Sequence, residues 1–243
     1  MYSHKAKQRH LKHTFSEDEA MNYKTTTKYF NQKNTILFIG IGVAALGIIF
    51  VIIGRFMMYP GVGCFAAAGA MIFISLETKI KGSEVNEECR KETEAFTERA
   101  LEKYHLTMDK ADYISFYEYD YINHEDEEPV KGNDGTYRPR HVLASVLFVS
   151  LGDMYISEER FSLIDEEDKT EKFYKIKLTD LEKITTEEYK IETAKDGVVG
   201  RYHTLEFISH SGKSVLKVPY PLDETIFEKT EEFNRIIRKE NKG

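Results

Sequence analysis

Residues Thr35–Ile53 read TILFIGIGVAALGIIFVII and contain no ionisable side chain. At about 1.5 Å of rise per residue, a helix of this length just crosses a bilayer hydrocarbon core of about 30 Å. After Gly54 and Arg55, a second uncharged run, Phe56–Leu76, reads FMMYPGVGCFAAAGAMIFISL. The two runs predict an antiparallel transmembrane hairpin, 35–76, with a very short turn around Arg55–Tyr59. A pair of buried helices in a soluble core is the weaker alternative, because both runs are apolar on every side.

The basic residues near the ends of the two runs predict their orientation. Arg55 is the single basic residue of the connecting turn, whereas seven Lys or Arg residues flank the hairpin on its other side: Lys24, Lys28, Lys33, Lys79, Lys81, Arg90 and Lys91. The positive-inside rule therefore predicts an integral protein of the cell membrane with both termini in the cytoplasm. A cleaved signal peptide is not expected, because the first run follows a polar leader of 34 residues.

Small residues in both runs have a spacing that lets helix backbones approach closely. Gly40-x3-Ala44, Gly63-x3-Ala67 and Ala66-x3-Ala70 repeat the small-x3-small pattern. We expect them to pack the two helices of one hairpin on each other, and contact between copies of the chain is the alternative. Neither run contains an acidic or basic residue, although ion and proton pathways need such groups within the membrane. The pattern therefore favours an anchor in the lipid bilayer over a transporter.

Charge divides the rest of the chain into a basic leader and an acidic domain. Residues 1–34 carry seven Lys or Arg against three acidic residues. With Arg55 adding one positive charge, the total of −7 leaves a formal −12 for residues 77–243. The leader is expected to be a flexible, solvated cytoplasmic tail. The acidic remainder argues against nucleic acid as a partner and against broad attraction to anionic lipid.

The cytoplasmic part begins with a predicted amphipathic linker helix over 83–106 and continues as a β-rich domain over 109–243. Period-two patterns there predict about seven strands, followed by a helix over Asp223–Lys239. The run His141–Leu151 is apolar almost throughout, which predicts a strand buried on both faces. The other strands are expected over Asp112–Ile122, Met154–Ile164, Tyr174–Leu178, Ile184–Thr193, Tyr202–Ser209 and Val215–Tyr220.

This order of elements resembles the pleckstrin-homology-like family, including its bacterial and GRAM-type versions. The resemblance rests on SVLFVSLGDMYISEERFSLI (Ser145–Ile164) and YKIKLTDLEKIT (Tyr174–Thr185), and it covers residues 110–240 approximately. It implies an antiparallel β-barrel plugged by the C-terminal helix, with Ile226, Phe227, Phe233 and Ile237 buried against Leu178, Leu205, Phe207 and Val218. Another small β-barrel, or an α+β sheet capped by helices, is the alternative.

The resemblance does not bring a lipid headgroup site with it. Members that bind phosphoinositides hold the headgroup with Lys and Arg on an early hairpin loop. The corresponding loop, Asp165–Lys172, reads DEEDKTEK and is predominantly acidic, so it would repel phosphate. Many members of such folds bind proteins instead.

Residue types that could carry chemistry do not form a recognisable motif. His203 and His210 lie seven residues apart, and the other candidates, His105, His124 and His141, are scattered. The acidic runs Glu125–Glu128 and Asp165–Asp168 lack the ligand spacing of a calcium loop. Gly40-x-Gly42-x4-Gly47 lies inside an apolar run without an adjacent Lys, so it is not a phosphate loop. We expect no catalytic, cofactor-binding or metal-binding residue.

Cysteines and tyrosines have ordinary structural explanations. Cys64 is expected to be a small buried residue, with palmitoylation as the alternative, and it is not expected to pair with Cys89. Four tyrosines cluster in the first predicted strand and form either an aromatic binding edge or part of the packing: Tyr113, Tyr117, Tyr119 and Tyr121. Strand formation explains them more simply.

Taken together, these patterns predict a non-enzymatic integral membrane protein whose cytoplasmic domain binds a protein partner or organises a membrane complex. Two other interpretations stay open. The domain is a ligand- or lipid-responsive regulator, or it is an enzyme with a site that no motif reveals. The residues that bind a ligand are not specified by the sequence.

Overall fold

The computed structural model describes residues 21–31, 35–53, 58–77, 79–106, 112–121, 129–132, 134–193 and 197–242. The helices in these ranges are α1 (Tyr23–Phe30), α2 (Thr35–Ile53), α3 (Met58–Glu77), α4 (Gly82–Glu102) and α5 (Glu224–Glu240). The strands are β1 (Tyr113–Tyr119), β2 (Val130–Lys131), β3 (Tyr137–Arg138), β4 (His141–Ser150), β5 (Asp153–Ser162), β6 (Lys169–Lys177), β7 (Leu181–Thr193), β8 (Gly197–Ser209) and β9 (Ser214–Tyr220).

Helices α2 and α3 coincide with the two apolar runs. Both are long and apolar enough to cross a membrane. They expose large apolar side chains, such as Phe38 (68%) and Ile52 (76%), which a water-soluble fold avoids in such numbers. The turn predicted around Arg55–Tyr59 is wrong at its end, because Met58 and Tyr59 belong to α3, and its first three residues lie outside the described residues.

The small residues of the hairpin have two different environments. A Cβ at Gly47 would lie 3.1 Å from the carbonyl oxygen of Gly61, and one at Gly40 would lie 3.1 Å from Ile72. These glycines therefore allow the close approach of α2 and α3, as expected. Gly63 has open space around its Cα, and Ala67 is exposed, so the Gly63-x3-Ala67 pair does not pack the hairpin.

The domain after the hairpin contains two antiparallel sheets, and its α+β class is as expected. One sheet has the strand order β1-β4-β5-β6, the other β7-β8-β9, and β2 and β3 pair as a short hairpin. The expected closed barrel of about seven strands is wrong, because both sheets are open at their edges within the described residues. A 3₁₀ turn, Leu178–Asp180, interrupts the chain between β6 and β7, where Leu181 N–H bonds back to Leu178.

The inner face of the four-stranded sheet packs against the three-stranded sheet and α5. Helix α5 buries Ile226, Phe233 and Ile237 in the same cluster as Leu178, Leu205, Phe207 and Val218, as expected. Phe227 was expected in that cluster but is 56% exposed, because it lies one position further around the helix. Asp223 caps this helix by accepting a hydrogen bond from Thr225 N–H at 2.7 Å.

The outer face of the same sheet is covered by α4 and α1. Val85, Cys89 and Phe96 on α4 share a second buried cluster with Val142, Val146 and Phe148 on β4. Residues 141–148 of β4 are therefore buried, which confirms the prediction of burial on both faces. Helix α4 is the predicted linker helix, although it begins at Gly82 and ends at Glu102.

Helix α1 corrects the prediction that the whole leader is a solvated tail. Asn22 caps the helix, and its own backbone N–H donates to the Glu88 carboxylate of α4 at 2.6 Å. Met21, Tyr29 and Phe30 are buried in the outer cluster. These apolar contacts stabilise a helix that is too short to be stable alone. The leader before Met21 lies outside the described residues.

Candidate functional site

Arg138, at the end of β3, organises the junction between the helices that flank the apolar hairpin and the sheet. Its guanidinium is buried and pairs with both carboxylate oxygens of Asp134, at 2.7 and 3.0 Å. It also donates to Tyr29 Oη of α1 at 3.0 Å and to Tyr119 Oη of β1 at 3.1 Å. One side chain thus joins α1, β1 and the β2–β3 hairpin, and its position beside the α4 N-terminus ties them to that helix.

Two glycines make room for this cluster. A Cβ at Gly82, the first residue of α4, would collide with Asp134 and with the Arg138 guanidinium. A Cβ at Gly132 would collide with Tyr29 Oη and Asp134. The guanidinium also holds the pKa of Asp134 below its usual range, because it donates hydrogen bonds to the ionised form.

A second group of buried charges fastens α4 to the sheet further along the helix. Glu92 accepts from Lys169 of β6 at 2.8 Å, and Glu159 of β5 accepts from Arg99 at 2.8 Å. Burial raises the pKa of Glu159, and Arg99 opposes that shift. Since each carboxylate has a cation partner, these groups explain how charged residues sit on a buried helix face. Lys169 belongs to the acidic loop considered for headgroup binding, and it is already engaged.

The candidate reactive groups do not form a catalytic set. Burial raises the pKa of the Cys89 thiol to about 12, which leaves it an inert core residue. His141 Nε2 lies 2.8 Å from Asp168, whereas His210 Nε2 lies 3.1 Å from the Thr179 carbonyl in a different part of the domain. No group of three or more metal-binding side chains comes together among the described residues. The Glu125–Glu128 run and His124 lie outside them.

The four tyrosines of the first strand are part of the packing. Tyr117 Oη donates to the Asn86 carbonyl of α4 at 3.1 Å, and Tyr119 Oη donates to the Asn86 side chain at 2.8 Å. Tyr121 Oη donates to the Tyr137 carbonyl at 2.7 Å. Tyr113 is half-buried against the outer cluster. The aromatic rings therefore do not form an exposed binding edge.

The backbone of β1, by contrast, opens into a cleft. Strand β1 is an edge of the four-stranded sheet. Its edge lies between α4 on one side and Pro221 with the N-terminus of α5 on the other, in a cleft of about 520 Å³. We call this the β1 cleft; it is lined by Asn86, Arg90, Thr93, Ser115, Tyr117 and Ile226 among others. A cleft of this size accommodates a short peptide segment or a small ligand.

The register of β1 decides which of its backbone groups face the cleft. Asp120 lies opposite His141 and donates its N–H to the His141 carbonyl at 3.0 Å. In an antiparallel ladder such bonded pairs alternate with unbonded ones, so Ile114, Phe116 and Glu118 bond to β4. The N–H and C=O groups of Ser115 and Tyr117 therefore point away from β4 and into the cleft. Tyr119, the next outward residue, gives its N–H to the Glu118 carboxylate at 2.8 Å.

Charges around the cleft are mostly acidic. Glu94, Glu118 and Asp223 line it. Arg90 is the one basic residue among the described residues that line the cleft. That guanidinium bonds to Glu87 at 2.6 Å and to Glu94. Burial raises the pKa of Glu118 to about 7, so its carboxyl group is partly protonated near neutral pH, and an approaching cation would favour the ionised form.

The other edges of the two sheets are protected against pairing. Strand β6 carries Lys169, Lys172, Lys175 and Lys177, and β9 carries Lys217 and Pro219. At β7 the side chain of Asn234 bonds to both the N–H and the C=O of Ile184, at 2.7 and 2.9 Å. Lysine, proline and covering side chains are devices that keep edges unpaired. Strand β1 has no lysine and no proline.

Comparison of the chain with protein-family models, with curated proteins and with solved structures finds no match in any of the three.

Proposed function

We propose that the chain is a non-enzymatic, membrane-anchored interaction protein, whose cytoplasmic domain binds a protein partner in the β1 cleft. The observation that carries the proposal is the unprotected edge of β1 at the bottom of a cleft between two helices. Exposed edges are sites of pairing with another chain, and most proteins suppress them. An edge left open between helices is well placed for a selected partner.

The two attachments of the domain support the anchoring part of the proposal. Helix α1 precedes α2 in the chain and α4 follows α3, and both α1 and α4 pack on the outer face of one sheet. Such a domain is held close to the bilayer from both ends of the hairpin. We propose that both termini are cytoplasmic, because Lys24, Lys28, Lys79 and Lys81 flank the hairpin on this side.

The element order also supports a pleckstrin-homology-like origin for the domain. Four antiparallel strands precede three, and the helix that follows packs on the core between them. We propose this relationship as the source of the interaction function. The acidic loop 165–168 argues that phosphoinositide headgroups are not the ligand, because Asp168 already contacts His141 and Lys169 contacts Glu92.

Photocrosslinking in native membranes tests the site. A benzoyl-phenylalanine at Thr225, which lines the cleft and is exposed, is expected to capture a discrete partner band. The same probe at Lys175, on the β6 edge, is the matched control and should capture none. Equal capture at both positions, or capture only at Lys175, would place the partner elsewhere.

Thiol labelling tests the orientation. In a Cys64→Ala chain, a cysteine at Met57 should react with an impermeant maleimide added outside the cell. A cysteine at Arg90, which is exposed on α4, should react only after permeabilisation. The buried Cys89 thiol, with its raised pKa, supplies little background. The reverse labelling pattern would invert the topology.

A further inference from the structure

We propose that the partner enters the β1 cleft as an extended basic segment and adds a fifth strand to the four-stranded sheet. This inference rests on the proposed function and specifies its partner chemistry and its mode of binding. It depends on three observations: the outward backbone groups of β1, the two walls of the cleft, and the acidic side chains that line it.

The backbone groups supply the first part of the argument. Ser115 and Tyr117 each direct one N–H and one C=O into the cleft, as the bond from Asp120 to His141 determines. Among the described residues, none is recorded as bonding to these four groups. A strand laid along β1 would pair with residues at alternate positions and satisfy all four. The outward groups recur at every second residue of β1, which is the spacing of backbone groups in an extended strand.

The walls of the cleft limit the width of a bound segment. Asn86 and Thr93 of α4 form one wall, and Pro221 and Ile226 at the start of α5 form the other. In a second copy of the chain, the β1 edge lies between the same two walls. The walls of the two copies would collide before their β1 edges came within hydrogen-bond distance. A single extended segment is thin enough to lie between the helices. This argues against the β1 edge of a second copy as the occupant.

Charge supplies the third part. Glu94, Glu118 and Asp223 line the cleft, and Arg90 is already bonded to Glu87 and Glu94. The domain that surrounds the cleft is itself acidic, at a formal −12 for residues 77–243. Lysine or arginine side chains at alternate positions of the added strand would meet Glu118 directly. An acidic segment would be repelled.

Binding of a labelled probe to the full chain in nanodiscs tests the inference. The probe is a fluorescein-labelled octapeptide of four Lys-Val repeats, and its Glu-Val counterpart is the charge control. Fluorescence anisotropy is expected to show saturable binding of the Lys-Val peptide and at least about tenfold weaker binding of the Glu-Val peptide. Equal binding of both, or no binding of the Lys-Val peptide, would overturn the proposal.

Two substitutions at one position separate strand addition from other contacts. Ser115→Pro removes an outward N–H without removing a bond to β4, so the sheet is expected to persist. Ser115→Ala removes the hydroxyl and keeps the N–H. Strand addition predicts that Ser115→Pro weakens peptide binding at least about tenfold while Ser115→Ala leaves it unchanged, with equal melting temperatures for the two variants. If Ser115→Pro folds and binds like Ser115→Ala, the added strand is wrong.

A third substitution tests the basic character. Glu118→Gln keeps the shape of the side chain and its acceptor for Tyr119 N–H but removes the charge. Binding of the Lys-Val peptide is expected to weaken several-fold and to lose part of its salt dependence. Unchanged affinity and salt dependence would contradict the role of Glu118.

These results are separable from the proposed function. A partner captured at Thr225 together with unaltered binding in Ser115→Pro would retain the cleft as the site and reject strand addition. No capture at Thr225 would reject the site itself. Photocrosslinks at Thr225 between copies of this chain would show that a second copy occupies the cleft and would overturn the inference.

Discussion

Strands β1 and β6 are the two edges of one sheet, yet their exposure and their charge differ. Strand β6 is exposed along most of its length and carries four lysines. Strand β1 carries none, and its edge lies between α4 and α5. Charge suppresses pairing at β6, whereas at β1 the helices restrict what can approach. The difference teaches that a sheet edge without charge protection is tolerated where helices limit access to it.

The strongest way to break this comparison is to remove the α5 wall. Phe233 is 1% exposed in the inner cluster. Phe233→Asp buries a charge without a partner and is expected to cost about 3–5 kcal/mol or more, which unfolds the domain. Chemical denaturation followed by circular dichroism measures it. Phe227→Asp, on the exposed side of the same helix, is the control and should stay within about 0.5 kcal/mol. Equal effects of the two would mean that α5 does not pack as described.

The α4 wall is tested through its anchor at Arg138. Arg138→Met leaves Asp134 without its cation and removes the contacts with Tyr29 and Tyr119. The expected loss is about 2–4 kcal/mol, measured by denaturant unfolding of the full chain in detergent. Arg90→Met breaks exposed pairs with Glu87 and Glu94 and should leave the unfolding midpoint nearly unchanged. A small effect of Arg138→Met would show that the junction does not hold α4 on the sheet.

Glu158, next to the β6 edge, makes the stability of the domain depend on pH. Glu158 on β5 lies opposite Lys172 of β6, and burial raises its pKa to about 7. An unfolded glutamate has a pKa of about 4.3, so the folded state retains the proton at higher pH. The stabilisation is therefore full below about pH 4.3 and is lost as the pH rises through 7. Glu158→Gln should remove about 2 kcal/mol of this decline between pH 5 and pH 8. An unchanged slope of stability against pH would contradict the burial of this carboxylate.

The smallest expected effect on stability comes from making β6 resemble β1. Lys175→Thr with Lys177→Thr removes two lysines from the β6 edge, and an exposed edge tolerates such changes with little effect on the unfolding midpoint. Self-association is expected to increase, because the edge loses its charge protection. Sedimentation velocity of the variant and the natural chain in detergent measures it. If the variant remains as monomeric as the natural chain, lysine is not what protects β6.

Much of this architecture follows from local patterns. The α2 helix and the two-face burial of β4 are visible as continuous apolar runs, and the apolar side of α5 is visible as a helical periodicity. Strand β6 was predicted only from Tyr174, although it begins at Lys169, because a lysine-rich edge strand lacks the alternation of a half-buried one. The predicted Phe227 contact failed for a similar reason, since one step around a helix separates a buried position from an exposed one.

Helix α1 and the β1 cleft depend on contacts that no local pattern records. Tyr29 and Arg138 are 109 positions apart in the chain, and α1 is a polar segment whose burial depends on that partner. The cleft joins β1 with Pro221 and Ile226, which come from the far end of the domain. The groups of β1 that face it are the backbone N–H and C=O groups of Ser115 and Tyr117, which every residue type except proline supplies. The one available signal was the absence of lysine and proline in an edge strand, and its use required the strand order.

Amide hydrogen exchange in the free chain tests the open edge of β1 most directly. The backbone N–H groups of Ile114 and Phe116 bond to β4 and should exchange slowly. Those of Ser115 and Tyr117 face the cleft and should exchange at least about tenfold faster. Such alternation along β1 is the result that the account predicts. Equally slow exchange at all four positions would show that the edge is already paired, and it would contradict the claim that β1 is open to a partner.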